Sequence, residues 1–156
     1  MADDTVTLNP PIYLVTGQEE CWRCGELQRA VELVAELTPS GPDDGAHLAS
    51  LSNIEELPDE VLDLITERHR PFRLHRSKTA QQEYYTNFCQ CGANFGDFFL
   101  HSEPGHAFFP LDEETARSMT VEELPLSGPI EVRASFGAGT EEFILAHAQR
   151  VGRNDR

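Results

Sequence analysis

The chain has 156 residues, a net charge of −15 and a hydrophobic fraction of 39%. This length fits a single domain over residues 1–156, and the charge disfavours nucleic-acid binding because it sets up a field that repels phosphate backbones. No stretch approaches the roughly 20 consecutive apolar residues of a membrane-spanning helix, and the acidic start lacks the apolar core of a signal peptide, so we expect a cytoplasmic protein with reduced thiols.

The first part of the chain predicts two strands separated by a cysteine turn. Residues 1–10 and 151–156 are expected to be loose termini, whereas residues 12–15 have the pattern of a strand. Residues 27–37 fit both a helix and a strand, and a strand is favoured because a cysteine knuckle usually reverses a hairpin. The segment 38–47 is rich in Pro, Gly and Asp, which predicts a surface loop.

The second part mixes short helices and strands. Residues 58–69 have apolar positions at helical spacing, a proline in the first turn and acidic residues beside it, which predicts an amphipathic helix. The run 96–101 is a compact strand candidate, and residues 130–136 alternate as a strand. Residues 112–119 are typical of a short helix, and residues 140–150 of a closing helix or strand.

Four cysteines form two close pairs, Cys21 with Cys24 and Cys89 with Cys91. A short cysteine turn places two sulfurs on one side of a metal ion, and zinc prefers four thiolates in a tetrahedron. A glycine follows each pair, as expected where the chain leaves the sulfur with positive φ. Disulfides and four unrelated buried thiols remain alternatives, as does a redox dithiol, although a redox site does not explain the second pair. The pattern predicts one structural Zn²⁺, with no coordination position open to water.

The same motifs carry a resemblance. The runs CWRCG at 21–25, CQCGA at 89–93 and GDFFLHSEPG at 96–105 resemble a group of largely uncharacterised bacterial zinc-ribbon-like proteins. The similarity covers most of the chain, and many of those proteins have C-x-x-C where this chain has C-x-C. The resemblance implies that the four cysteines bind zinc, and it implies no activity. We therefore expect an α+β domain with a small antiparallel zinc-ribbon sheet, two cysteine knuckles and one or two short helices.

One alternative is an enzyme. Carboxylates and imidazoles that could serve as general acid and base gather within ten residues, at Asp97, His101, Glu103 and His106. A hydrolase-like site is conceivable there. Such groups also form structural networks, so the non-catalytic interpretation is favoured and no catalytic residue is assigned.

A second alternative is a zinc ribbon that binds nucleic acid through its one basic segment. The window 68–78 contains no acidic residue and five basic ones: Arg68, Arg70, Arg73, Arg76 and Lys78. The charge of the whole chain opposes this function, because binding to a phosphate backbone depends on a positive surface.

The function predicted from the sequence is that of a zinc-stabilised, non-catalytic binding or adaptor protein. Its strong acidity suits an unknown protein partner with a basic surface, since electrostatic steering would speed their encounter. Solubility alone explains the acidity equally well.

Overall fold

The computed structural model describes residues 5–39, 47–77 and 82–152. Most of the predicted loop 38–47 and the residue Lys78 lie outside these ranges. The described chain forms eight strands: β1 Thr5–Glu20, β2 Leu27–Pro39, β3 His47–Glu56, β4 Arg73–Ser77, β5 Gln82–Thr86, β6 Thr120–Glu123, β7 Ile130–Gly137 and β8 Gln149–Val151. Its helices are α1 Asp59–Arg68, α2 Asp97–Ser102, α3 Glu113–Arg117 and α4 Glu141–His147.

Four strands close into a barrel. β1 pairs with β2, β2 with β3, β3 with β7 and β7 again with β1, all antiparallel. The prediction of a small zinc-ribbon sheet is therefore wrong, because the protein is mostly β and consists of this barrel with additional strands. The closing contact joins residues 5–8 to residues 130–133, and a pairing so distant in sequence leaves no local pattern.

The additional strands extend the sheet on both sides of the barrel. β4 and β5 form a hairpin that meets β3 at a single residue pair, Ile54 with Tyr85. β6 pairs with the second half of β1, and β8 lies parallel to β6. β1 belongs to both the barrel and this extension: its residues 5–8 pair with β7 and its residues 13–16 pair with β6. Between these two stretches the register of its pairing with β2 shifts, between Asn9 and Tyr13.

The N-terminal strand begins earlier than predicted. Residues 1–10 were expected to be loose, but β1 starts at Thr5, and Val6 and Leu8 are 1% and 0% exposed inside the barrel. Burying aliphatic side chains of this size stabilises the fold by about 1.5–3 kcal/mol each relative to exposure, which explains why the segment is ordered. At the other end, Val151 closes β8, and residues 153–156 are outside the described ranges.

The core has two parts on opposite faces of β2. Val31, Leu33 and Ala35 face the aliphatic barrel interior, which α1 covers with Val61 and Ile65. A second group of buried residues packs on the opposite face, under the cysteine turns and the short helices: Ala30, Val34, Leu100, Phe108, Met119 and Ile144. β2 is thus buried on both sides, and this explains why residues 27–37 showed no simple alternation.

Most predicted elements are confirmed, and one is wrong. The structure contains the strand at 27–37, the helix at 58–69, the short helix at 112–119 and the strand at 130–136. The run 96–101 is helix α2 and not a strand. Leu100 donates its backbone N–H to Gly96 and is 1% exposed in the second core, so packing overrides the strand preference of the neighbouring aromatic residues.

Candidate metal centre

The first cysteine turn joins β1 to β2. The two strands remain paired as far as Glu20 and Leu27, so the residues between them must reverse the chain. Cys21 donates its backbone N–H to Glu26 at 2.8 Å, and Gly25 donates to Cys21 at 2.9 Å. Gly25 has a φ of 77°, as predicted for the glycine after the pair.

The second cysteine turn follows β5 and is closed by a bridge between Phe88 and Asn94. Cys89 donates its backbone N–H to Ala93 at 2.8 Å, and Gly92 donates to Cys89 at 2.9 Å. Gly92 has a φ of 95°. The shorter C-x-C spacing therefore still produces a knuckle with equivalent hydrogen bonds at its base, each spanning one residue fewer than in the first turn.

The two turns bring all four sulfurs together. The Sγ atoms of Cys21 and Cys91 are 3.7 Å apart, and those of Cys24 and Cys89 are 3.6 Å apart. All four sulfurs lie within 4.8 Å of one another, close enough to hold a metal ion. Among the described residues no other group of three or more Cys, His, Asp or Glu has this geometry.

Backbone and side-chain donors surround the sulfurs. Arg23 and Cys24 direct backbone N–H groups at Cys21 Sγ, at 3.4 and 3.5 Å, and Cys91 directs its own at Cys89 Sγ at 3.5 Å. The guanidinium of Arg23 donates to the carbonyl of Cys91 and lies 3.5 Å from its sulfur. These donors partly neutralise thiolate charge, which favours metal-bound sulfur over a neutral thiol.

The acidities of the thiols differ across the site. The backbone N–H of Ala93 is the main reason why the pKa of the Cys91 thiol falls to about 6, whereas burial raises the pKa of the Cys89 thiol to about 12. A cation is therefore needed before all four sulfurs are deprotonated at neutral pH, and its binding must release protons.

The centre lies at the protein surface. Cys21 and Cys89 are 2% exposed, whereas Cys24 and Cys91 are exposed. Trp22 is 70% exposed, but its indole N–H donates to the carbonyl of Asn94 at 2.9 Å and so joins the first turn to the second. The site ties the β1–β2 turn to the end of β5.

The residues proposed for an enzyme separate into two places. Asp97 is buried and accepts hydrogen bonds from Asn53 N–H at 2.8 Å and from the Thr86 hydroxyl at 2.5 Å. Asp97 and His101 line one surface cavity, whereas Glu103 and His106 line another. The four side chains therefore do not form a single site.

Each histidine of that segment has a carboxylate partner. His106 Nδ1 is 2.6 Å from Glu19, and His101 Nδ1 is 3.3 Å from Glu32. Burial raises the pKa of Glu32. Burial alone would lower the pKa of His101, but the interaction of its ring with Glu32 and the charges of Asp97 and Glu141 together outweigh burial and raise that pKa. Sequence reasoning missed Glu32, although an acid within an apolar strand is a sign of a buried pair.

Three arginines of the basic segment make contacts within the protein. Arg68 Nε lies 2.7 Å from Glu122, and Arg76 lies 3.0 Å from Glu83. The guanidinium carbon of Arg73 lies 3.8 Å from the centre of the Phe88 ring. The glutamates that pair with Arg68 and Arg76 both lie outside the basic segment.

No helix in the described ranges is both long enough and apolar enough to cross a membrane. No protein-family model, curated protein or solved structure matches the chain significantly. The resemblance to zinc-ribbon-like proteins therefore stays a prediction.

Proposed function

We propose that the cysteine centre binds one Zn²⁺ and that the ion is structural. Four sulfur ligands at the Zn–S distance of about 2.3 Å lie about 3.8 Å apart in a regular tetrahedron. Two sulfur pairs that join the turns, at 3.7 and 3.6 Å, match this value, and all four sulfurs lie within 4.8 Å of one another. This match is the observation that carries the proposal. Four thiolates complete the coordination shell, so the ion would have no position for a water nucleophile.

We further propose that the protein acts as a non-catalytic binding or adaptor protein with a basic protein partner. A Zn²⁺ held by four thiolates would offer no open position, and His101 and His106 each pair with a glutamate. The net charge of −15 would steer a positively charged protein toward this chain. The same charge argues against nucleic acid, as do the intramolecular contacts of Arg68 and Arg76.

Metal analysis tests the first proposal. Untagged protein from medium that contains both zinc and iron should hold one zinc per chain by mass spectrometry of the elements. A red protein with a thiolate-to-iron absorption band would instead assign iron, the other metal common in tetrahedral sulfur sites. The ligand variant Cys91→Ser should lose the zinc. Its control is Ser102→Ala, an exposed change away from the sulfurs that should keep the zinc. Metal far below one equivalent in wild type would refute the proposal.

Capture from a lysate of the native host tests the second. A basic protein should be recovered at low salt and released as the salt concentration rises, because exposed charges are screened. Recovery of no protein at low salt would count against the adaptor function. Retardation of a nucleic-acid probe at low salt, lost after Arg70→Gln, would favour the nucleic-acid function instead.

A further inference from the structure

A polar cleft separates the end of α1 from the beginning of β2. It consists of two adjoining cavities of about 500 and 440 Å³, whose common walls are Arg29, Glu67, Arg68 and His69. Ser118 and Thr120 line the first cavity and Gln28 and Gln90 the second, among other residues. These volumes are in the range of sites that hold small molecules.

The charge of the cleft is opposite to that of the protein. The cleft is lined by three arginines and two glutamates and so has an excess of positive charge, whereas the chain as a whole has a charge of −15. Arg68 forms an ion pair with Glu122 at 2.7 Å within the lining of the cleft. Arg29 and Arg70 are exposed and make no ion pair with any described residue. Both guanidinium groups therefore remain available to an anion.

A buried histidine provides a second, independent indication of a ligand. His69 is 6% exposed and lines both cavities, yet its Nε2 atom is buried without a hydrogen-bond partner in the described part of the chain. Burial, together with the nearby charge of Arg29, lowers the pKa of His69 to about 4. The ring is neutral at neutral pH, and its unpaired nitrogen is costly unless a ligand or water binds to it.

We propose that this cleft binds a small anionic molecule through a phosphate or carboxylate group. Arg29 and Arg70 would provide planar guanidinium forks that match either oxyanion, and His69 would donate one hydrogen bond. A small molecule fits better than a nucleic acid, because Glu67 and Glu122 also line the cleft and would repel an extended phosphate backbone. This function goes beyond the proposed adaptor role and does not need a protein partner.

The metal centre borders the cleft. Leu27 and Gln28 follow the first cysteine turn directly, and Gln90 lies between the two cysteines of the second turn. A metal ion that joins the turns would thus hold one end of the cleft in place. Removing the ion should therefore abolish anion binding together with the fold that forms this end of the cleft.

The experiment uses the purified, metal-loaded protein and two anions that bind zinc weakly, ribose 5-phosphate and succinate. Ribose is the uncharged control. Titrations followed by amide chemical shifts should show saturable binding of at least one anion, with shifts at His69, Ser118 and Thr120, and none with ribose. Saturation by ribose 5-phosphate alone assigns a phosphate ligand, and saturation by succinate alone assigns a carboxylate ligand.

Variants then locate the binding. Arg29→Gln and Arg70→Gln should each weaken binding about tenfold, the loss expected for one charge-assisted contact. Arg76→Gln is the matched control: this exposed arginine pairs with Glu83 outside the cleft, and its loss should leave the affinity unchanged. Absence of saturation by both anions, or equal affinity in wild type and both cleft variants, would overturn the proposal.

Discussion

His69 should make the protein sensitive to mild acid. Its pKa falls from 6.5 to about 4 in the folded protein, mainly because the ring is buried. Well above pH 6.5, near pH 8, the ring is neutral in both states, so it adds no pH dependence there. As the pH falls from 6.5 toward about 4, the unfolded state takes up a proton that the folded state does not, and stability is lost.

The size of this loss follows from the two pKa values. At about pH 5.5 the unfolded ring is protonated about ten to one while the folded ring stays neutral, which lowers the free energy of unfolding by about 1.4 kcal/mol relative to about pH 8. His69→Gln and His69→Leu remove the titrating group. Wild type should therefore lose about 1.4 kcal/mol more than either variant between these two pH values.

Urea denaturation at the two pH values provides the measurement, with the zinc content determined in every sample. Any loss of metal in acid affects wild type and variants alike and cancels in the comparison. If the variants lose as much stability as wild type between pH 8 and pH 5.5, His69 is not held neutral by its environment, and the explanation fails.

Three further predictions concern the metal and the packing. Cys91→Ser should abolish both zinc binding and the folded state, because zinc binding of about 10–16 kcal/mol exceeds the stability of most domains; unchanged melting and zinc content would show that Cys91 is not a ligand. Gly17→Ala should lose about 1–3 kcal/mol in chemical denaturation because its Cβ would lie 2.5 Å from the carbonyl oxygen of Ala107, whereas Gly128→Ala meets nothing within 4 Å and should be neutral. Phe108→Ala should lose about 3–5 kcal/mol, and Leu111→Ala, at a residue 69% exposed, less than about 0.5 kcal/mol; similar losses would contradict the described core.

The sequence was most informative where a structural feature depends on neighbouring residues. The cysteine turns follow from the spacing of each pair and from Gly25 and Gly92, which take the positive φ that the turn requires. Helix α1 follows from the proline and acidic residues at its start and its apolar spacing. These features need no information about the rest of the chain.

The features that the sequence did not predict depend on distant contacts. β7 completes the barrel only because it lies between β1 and β3, which are far away in sequence. α2 is helical because Leu100 packs in the second core, despite the aromatic residues beside it. His69 resembled an ordinary residue at the end of a helix, since neither its burial nor its closeness to Arg29 has a local pattern.

The late position of β7 has a consequence for protein synthesis. While the ribosome is still making residues before 130, the first half of β1 and part of β3 have open backbone edges that β7 will later cover. Such edges can recruit strands from other nascent chains. A version truncated before β7 should therefore aggregate rather than accumulate as a monomer, because a strand made late covers the edges of two strands made early.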